Sequence, residues 1–255
     1  MGVGEMFGSE FLGTVMMIAI GVMVCGSRSL PKTGAYRNDW INVSLGWGLA
    51  VFVGVYVAWP TGAHLNPAVT LARVIQHWSD SSVTLNGISV HDGGIAVTMG
   101  NVAIYLTAQF LGAFVGACVG FMAMRRHFAE PANPDVTLTV FCTKPAVASP
   151  LWNVVTESIG TAILVIWITV NGGTPTQVGP LAIAMVVTVL TMALGGISGA
   201  ALNPARDFCP RLAYQLLPIA GKGDADWGYA WVPFVGPLIG SALGVCIPLA
   251  FGLMP

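Results

Sequence analysis

Charge is scarce in this chain. Asp, Glu, Lys and Arg together make up 8% of its 255 residues, against about 25% in a soluble domain. That scarcity excludes a molecule solvated by water on all sides. With 55% hydrophobic residues and a mean hydropathy of +0.76, lipid is the expected solvent. A net charge of −1 lacks the basic footprint that nucleic acid requires, so no nucleic-acid partner is expected. No Lys or Arg precedes Arg28. The basic region of a cleavable signal is therefore missing, and the first apolar run is expected to remain as a helix. The five cysteines (Cys25, Cys118, Cys142, Cys209, Cys246) form no CxxC pair and read as small buried hydrophobes. No metal-ligand spacing, nucleophile–base pair or phosphate loop stands out, so the expectation is no metal, no cofactor and no enzyme.

What is present is apolar and periodic. Six segments approach the roughly 20 residues that span a bilayer as helix: 7–26, 41–59, 97–124, 151–170, 179–194 and 231–251. Two more, 67–78 and 204–216, are too short to span. Each begins with Pro directly after Asn, a helix-start signal. At 1.5 Å per residue each is about 18–20 Å long, so the pair end to end would cross a core of about 30 Å. Thirty-two glycines suit close approach of helices in lipid.

The short segments carry the most informative motif. Gly62-Ala63-His64-Leu65-Asn66-Pro67-Ala68 and Gly199-Ala200-Ala201-Leu202-Asn203-Pro204-Ala205 are nearly the same heptapeptide. One Asn-Pro-Ala arises by chance in roughly a few per cent of chains this long; two with matching flanks do not. A second echo is Glu-x-x-Gly-Thr, at Glu10 and at Glu157. The offsets, 137 for Asn66 to Asn203 and 147 for Glu10 to Glu157, differ because the loops differ in length. Each half, about 1–128 and 148–255, reads helix, helix, short helix, helix. Three spans per half is odd, so the second half enters the membrane inverted. The expected fold is an all-α membrane protein: six transmembrane helices plus two re-entrant half-helices in an inverted repeat, one channel domain over 1–255. Charge does not orient it. With a cytoplasmic N-terminus, Arg28, Lys32, Arg37, Arg125, Arg126 and Lys144 fall outside and Arg73 inside, against the positive-inside tendency.

Irregular backbone survives in lipid only when buried or lining water. The loops entering Pro67 and Pro204 are therefore expected to line a channel, with carbonyl acceptors from Gly62, Ala63, His64, Leu65, Gly199 and Ala201. The half-helix N-termini would meet at the centre, each with partial positive charge. Asn66 and Asn203 cap them and can each offer an NH₂ to a passing oxygen. A permeating hydroxyl that accepts from both breaks a proton wire. Glu10 and Glu157 lie in apolar helices, where a carboxylate is costly and functional. Each is read as accepting hydrogen bonds from the re-entrant loop of its half. Arg206 follows the second motif and supplies fixed donors and a cation barrier. Asp207 either orients that charge or contacts Arg211 at the surface. His64 is expected to pack below Asn66 with a polar edge toward the pore; no second His at helical spacing supports a metal.

Taken together these residues resemble the aquaporin superfamily over nearly the whole chain. An arginine barrier is a known device of that family's pores. Asn203-Pro204-Ala205-Arg206-Asp207, Trp47-Gly48-Leu49 and Pro233 are similar to the glycerol-facilitator branch. The resemblance implies a homotetramer with one pore per subunit and a narrow filter of Trp47, Thr191, Ala200 and Arg206. Here the chain departs from bacterial glycerol facilitators, which usually have Gly where Thr191 stands and Phe where Ala200 stands. The filter is expected to be wide and one-sided, Trp47 forming the apolar wall and Arg206 the donor wall. Residues 213–227 are also similar to facilitator-like channels of Gram-positive bacteria, some of which pass lactic acid. The implied function is passive passage of glycerol, water and other small neutral solutes across a bacterial cell membrane. A channel for protonated small acids such as lactic acid is the alternative within the class. A coupled secondary transporter, which also uses inverted repeats and broken helices, is the alternative outside it.

Overall fold

The structure is a computed structural model that describes residues 1–171 and 178–254. Its helices are α1 (Val3–Ser29), α2 (Trp40–Val57), α3 (Pro67–Ser79), α4 (Met99–Ala123), α5 (Pro134–Phe141), α6 (Pro150–Val170), α7 (Pro180–Leu194), α8 (Pro204–Leu216) and α9 (Val232–Ala250). No strand occurs among the described residues. Side-chain caps set several starts. Asp39 accepts from the Ile41 N–H, Thr98 from Asn101 and Asn133 from Asp135.

Five helices, α1, α2, α4, α6 and α9, are long and apolar enough to cross a membrane. The sixth expected span is shorter: α7 has 15 residues, about 22 Å of helix. Gly179 at φ +60° and Pro180 at the first helical position set its start, within one residue of the expected 179. The connector between the halves is not simply a loop, because it contains α5. Asn133-Pro134 repeats in miniature the Asn-Pro helix start of α3 and α8.

The halves pack alike. α1 lies on α4 and α6 on α9, while α2 against α7 joins them. Both outer pairs use a glycine every fourth residue: Gly112, Gly116 and Gly120 on α4, and Gly236, Gly240 and Gly244 on α9. A Cβ at Gly112 would stand 2.6 Å from the Phe11 carbonyl, and one at Gly240 2.4 Å from that of Ser158. Only a bare backbone allows that approach. The short helices cross over, α3 packing on α9 and α8 on α4. Ser241 on α9 donates to the Ala68 carbonyl on α3 at 2.6 Å. Polarity is inverted relative to a soluble protein. Leu12, Met16, Ile159, Ile163 and Leu243 are exposed, whereas Glu10, Gln109, Asn153, Glu157 and Ser241 are buried. A lipid-facing exterior with polar groups inside is the arrangement a bilayer requires.

Candidate pore

Each re-entrant loop is anchored by one buried carboxylate. Glu10 on α1 accepts from the His64 N–H at 2.9 Å and the Leu65 N–H at 2.8 Å. Thr61 Oγ1 and Gln109 Nε2 also donate to it, at 2.8 and 2.9 Å. Glu157 on α6 accepts from the N–H groups of Ala201 at 3.1 Å and Leu202 at 2.9 Å, and from Ser198 Oγ at 2.6 Å. Thr61 and Ser198 stand at the same 137-residue offset as the asparagines, so the repeat extends to the hydroxyl donor. Every one of these partners donates, so the carboxyl oxygens serve as acceptors for the whole loop.

The backbone pays for this with unusual dihedrals. Gly62, Ala63 and Leu65 have φ of +78°, +51° and +53°; Gly199, Ala200 and Leu202 have +95°, +50° and +54°. Left-handed conformation in a non-glycine residue is unfavourable by about 1–2 kcal/mol. Its repetition at matched positions marks a geometry imposed by the surroundings. With consecutive N–H groups gathered on the carboxylate, the loops leave backbone oxygens free for the other side.

The loops meet at the asparagines. Asn66 Oδ1 caps α3 through the Ala68 N–H at 2.9 Å, and its Nδ2 donates to the Leu202 carbonyl at 2.9 Å. Asn203 Oδ1 caps α8 through the N–H groups of Ala205 and Arg206, and its Nδ2 donates to the Leu65 carbonyl at 2.8 Å. Each asparagine thus holds its own helix start and the opposite loop. Each amide has two hydrogens and one recorded acceptor, so one N–H remains for the lumen. Pro67, Ala68, Pro204 and Ala205 are buried behind the asparagines.

One cavity of about 450 Å³ runs along this line. Its walls include Gly62, Ala63, His64, Leu65, Asn66, Trp47, Thr191, Ala200, Ala201, Asn203 and Arg206. Gly199 is not on it. A Cβ there would lie 2.5 Å from Thr143, so this glycine is a close-packing position behind the wall. Leu65 keeps its place on the wall, but its carbonyl is engaged by Asn203. His64 does not present a free polar edge. Its Nδ1 bonds Thr70 Oγ1 at 3.0 Å and its Nε2 bonds the Leu85 carbonyl at 2.7 Å.

Trp47, Thr191, Ala200 and Arg206 all line this cavity. The Arg206 guanidinium sits 4.1 Å from the Trp47 ring centroid. The apolar wall and the donor wall are in contact, so a solute meets them as one surface. Trp47 Nε1 points away, to Cys25 Sγ at 3.3 Å. The Thr191 hydroxyl donates to the Val187 carbonyl at 2.8 Å, which leaves it an acceptor toward the cavity. Arg206 Nη1 donates to the Phe141 carbonyl at 3.1 Å.

Asp207 does not touch that guanidinium. Its Oδ2 accepts from the N–H and Oγ1 of Thr143 at 2.7 and 2.6 Å. Its Oδ1 accepts from Arg211 Nε and Nη2 at 3.0 and 2.9 Å. The pair is buried, with the Arg211 side chain 0% and the Asp207 side chain 1% exposed, rather than a surface contact. Arg211 also donates to the carbonyls of Thr143 and Ala225. The pair therefore clamps Thr143, just beyond α5, whose last residue, Phe141, presents its carbonyl to Arg206. Phe141 and Thr143 were not among the residues singled out from the sequence; Arg211 was, but as a surface contact rather than a buried one. The only available signal was Arg211 four residues after Asp207, the spacing of a helical ion pair.

The family described as Major intrinsic protein matches residues 4–247. The chain belongs to that family. It is 41% identical over 245 residues to a probable glycerol uptake facilitator protein of Thermotoga maritima, covering 94% of this chain and 96% of that one. A glycerol uptake facilitator protein of Streptococcus pneumoniae is 38% identical over 246 residues, covering 95% and 97%. The X-ray structure of the aquaglyceroporin from Plasmodium falciparum superposes with a TM-score of 0.74 at 28% identity, covering 97% of this chain and 96% of that one. These likenesses place the Major intrinsic protein described here in the glycerol-facilitator branch, with the aquaglyceroporin fold. It is a multi-pass membrane protein of a channel family.

Proposed function

We propose that this channel passes glycerol, water and similar small uncharged solutes down their gradients and excludes ions and protons. The observation that carries the proposal is the crossed asparagine pair. Two helix N-termini meet at Asn66 and Asn203, each leaving one amide hydrogen for the lumen. A hydroxyl passing between them accepts twice and cannot relay a proton onward. Facing positive helix ends oppose cations. Glycerol as chief solute is supported by the names of the relatives and by the Trp47–Arg206 surface, which offers an apolar face beside fixed donors. A solute sheds water there, donates to loop carbonyls and accepts from the asparagines. A bacterial cell membrane and a homotetramer with one pore per subunit belong to the same proposal and rest on the family likeness.

Stopped-flow light scattering on proteoliposomes tests it, with water, glycerol and lactic acid compared at low and neutral pH. Glycerol flux well above protein-free vesicles, unchanged by pH and by sodium or proton gradients, is expected. Weak glycerol flux with strong lactic acid flux at low pH would make this a channel for protonated acids. Gradient-coupled uptake would make it a secondary transporter.

A further inference from the structure

The lumen holds a second arginine that the pore reading does not use. Arg73 lies seven residues after Asn66 on α3, about 10 Å along the helix. It lines the same cavity as Arg206, on the far side of the asparagine pair. His64, Asn86 and Ile88 line the same cavity. Arg73 Nη1 donates to Gln76 Oε1 at 3.2 Å. Its Nε is buried and has no hydrogen-bond partner. Its Nη2 reaches to within 3.9 Å of where a Cβ on Gly87 would stand, which places the head group against the 83–96 loop. No ion pair involves Arg73 among the described residues. No Asp or Glu occurs among the described residues that line the cavity.

Those facts combine into an unusual electrostatic state. An arginine keeps its charge, and a buried donor without an acceptor is unfavourable unless something fills it. Elsewhere the fold surrounds Arg211 with acceptors, a carboxylate and backbone carbonyls. Arg73, by contrast, lines the cavity with one side-chain hydrogen bond, to Gln76, and a buried Nε that has no acceptor. A planar fork of donors matches a carboxylate better than any neutral oxygen.

We infer that Arg73 is a second oxygen-binding station of the lumen, and that a small monocarboxylate anion is the solute it holds most tightly. Polyol hydroxyls use the same donors more weakly and pass on. A carboxylate is retained there, so it acts as a pore blocker rather than as a fast permeant. The inference rests on the pore reading above.

The experiment measures water flux in proteoliposomes with lactate at neutral pH on both sides. Lactate should slow wild-type water flux. Arg73→Gln should need about tenfold more lactate for the same slowing, the order of one charge-assisted hydrogen bond lost. Equal sensitivity in wild type and Arg73→Gln, or no slowing of wild type, overturns the assignment. Chloride at the same concentration should slow flux far less; equal slowing would leave only non-specific charge and also overturns it. Should Arg73→Gln insert poorly, Arg73→Lys carries the test, because it keeps the charge and loses the fork. Its sensitivity should fall severalfold, and an unchanged value counts against the station. Water and glycerol flux no greater than in protein-free vesicles would instead refute the pore reading itself, and the station with it.

Discussion

Glu157→Gln is the sharpest probe of how the second re-entrant loop is held. The wild-type carboxylate is fully buried and accepts from Ser198 Oγ, the Ala201 N–H and the Leu202 N–H. An amide of the same shape keeps one acceptor oxygen and turns an NH₂ toward the rest. With the oxygen serving Ser198 and Ala201, the Leu202 N–H faces a donor and is left buried without a partner. That costs about 1–3 kcal/mol. The same loop holds Ala200 and Leu202 left-handed, at φ +50° and +54°, a strain of about 1–2 kcal/mol for each residue. The lost hydrogen bond is thus of the same size as the strain it helped to offset, and the loop should relax locally. Leu202 is also the residue whose carbonyl receives Asn66, so relaxation uncouples the asparagine pair. The global fold should persist, because the α6–α9 glycine contacts are untouched. We expect water and glycerol flux per inserted protein to fall about tenfold, the equivalent of about 1.4 kcal/mol, with unchanged helix content by circular dichroism. Flux equal to wild type in a correctly inserted Glu157→Gln protein would refute the claim that the carboxylate sets the loop.

Three further outcomes follow from the site. Arg206→Ala removes the charge stacked on Trp47 and should loosen selectivity and admit protons or ions; a pH-sensitive dye trapped in the vesicles reads this, and undiminished proton exclusion counts against a filter role. Ala200→Phe fills the cavity wall and should raise glycerol flux relative to larger polyols; equal relative fluxes before and after remove Ala200 from the filter. Arg211→Met leaves Asp207 buried without its partner, and such a loss typically costs about 3–5 kcal/mol. Thermal unfolding in detergent should drop accordingly, and an unshifted midpoint would mean that the clamp on Thr143 contributes little.

Much of the fold could be read from the chain because the bilayer is a simple solvent. Long apolar runs must be helices there, since no water satisfies the backbone. Asn-Pro announced the half-helix starts, and Glu-x-x-Gly-Thr located the buried carboxylates. The same rule placed α7 to within one residue, at 179–194 against Pro180–Leu194, its start set by Gly179 and Pro180. It passed over α5, which is short and lies in the connector. His64 and Gly199 were grouped with the loop they belong to. Which nitrogen meets Leu85, and which glycine backs onto Thr143, depends on residues distant in the chain.

The sequence alone determined the duplicated loops, the caps that begin α3 and α8, and the polar residues that lipid could not tolerate unless they faced inward. These are consequences of local chemistry and of solvent, and each is written within a few consecutive residues. Only the tertiary structure decided that each asparagine bonds the opposite loop, that Arg206 stacks on Trp47 while leaning on the Phe141 carbonyl, that Asp207 is bound to Arg211 and Thr143, and that Arg73 enters the lumen without an acid to meet it. Those pairings join residues between 4 and 159 positions apart. Hydrogen bonds and ion pairs depend on distance and direction to within a fraction of an ångström, and it is the packing of α1 to α9 around the lumen that sets both.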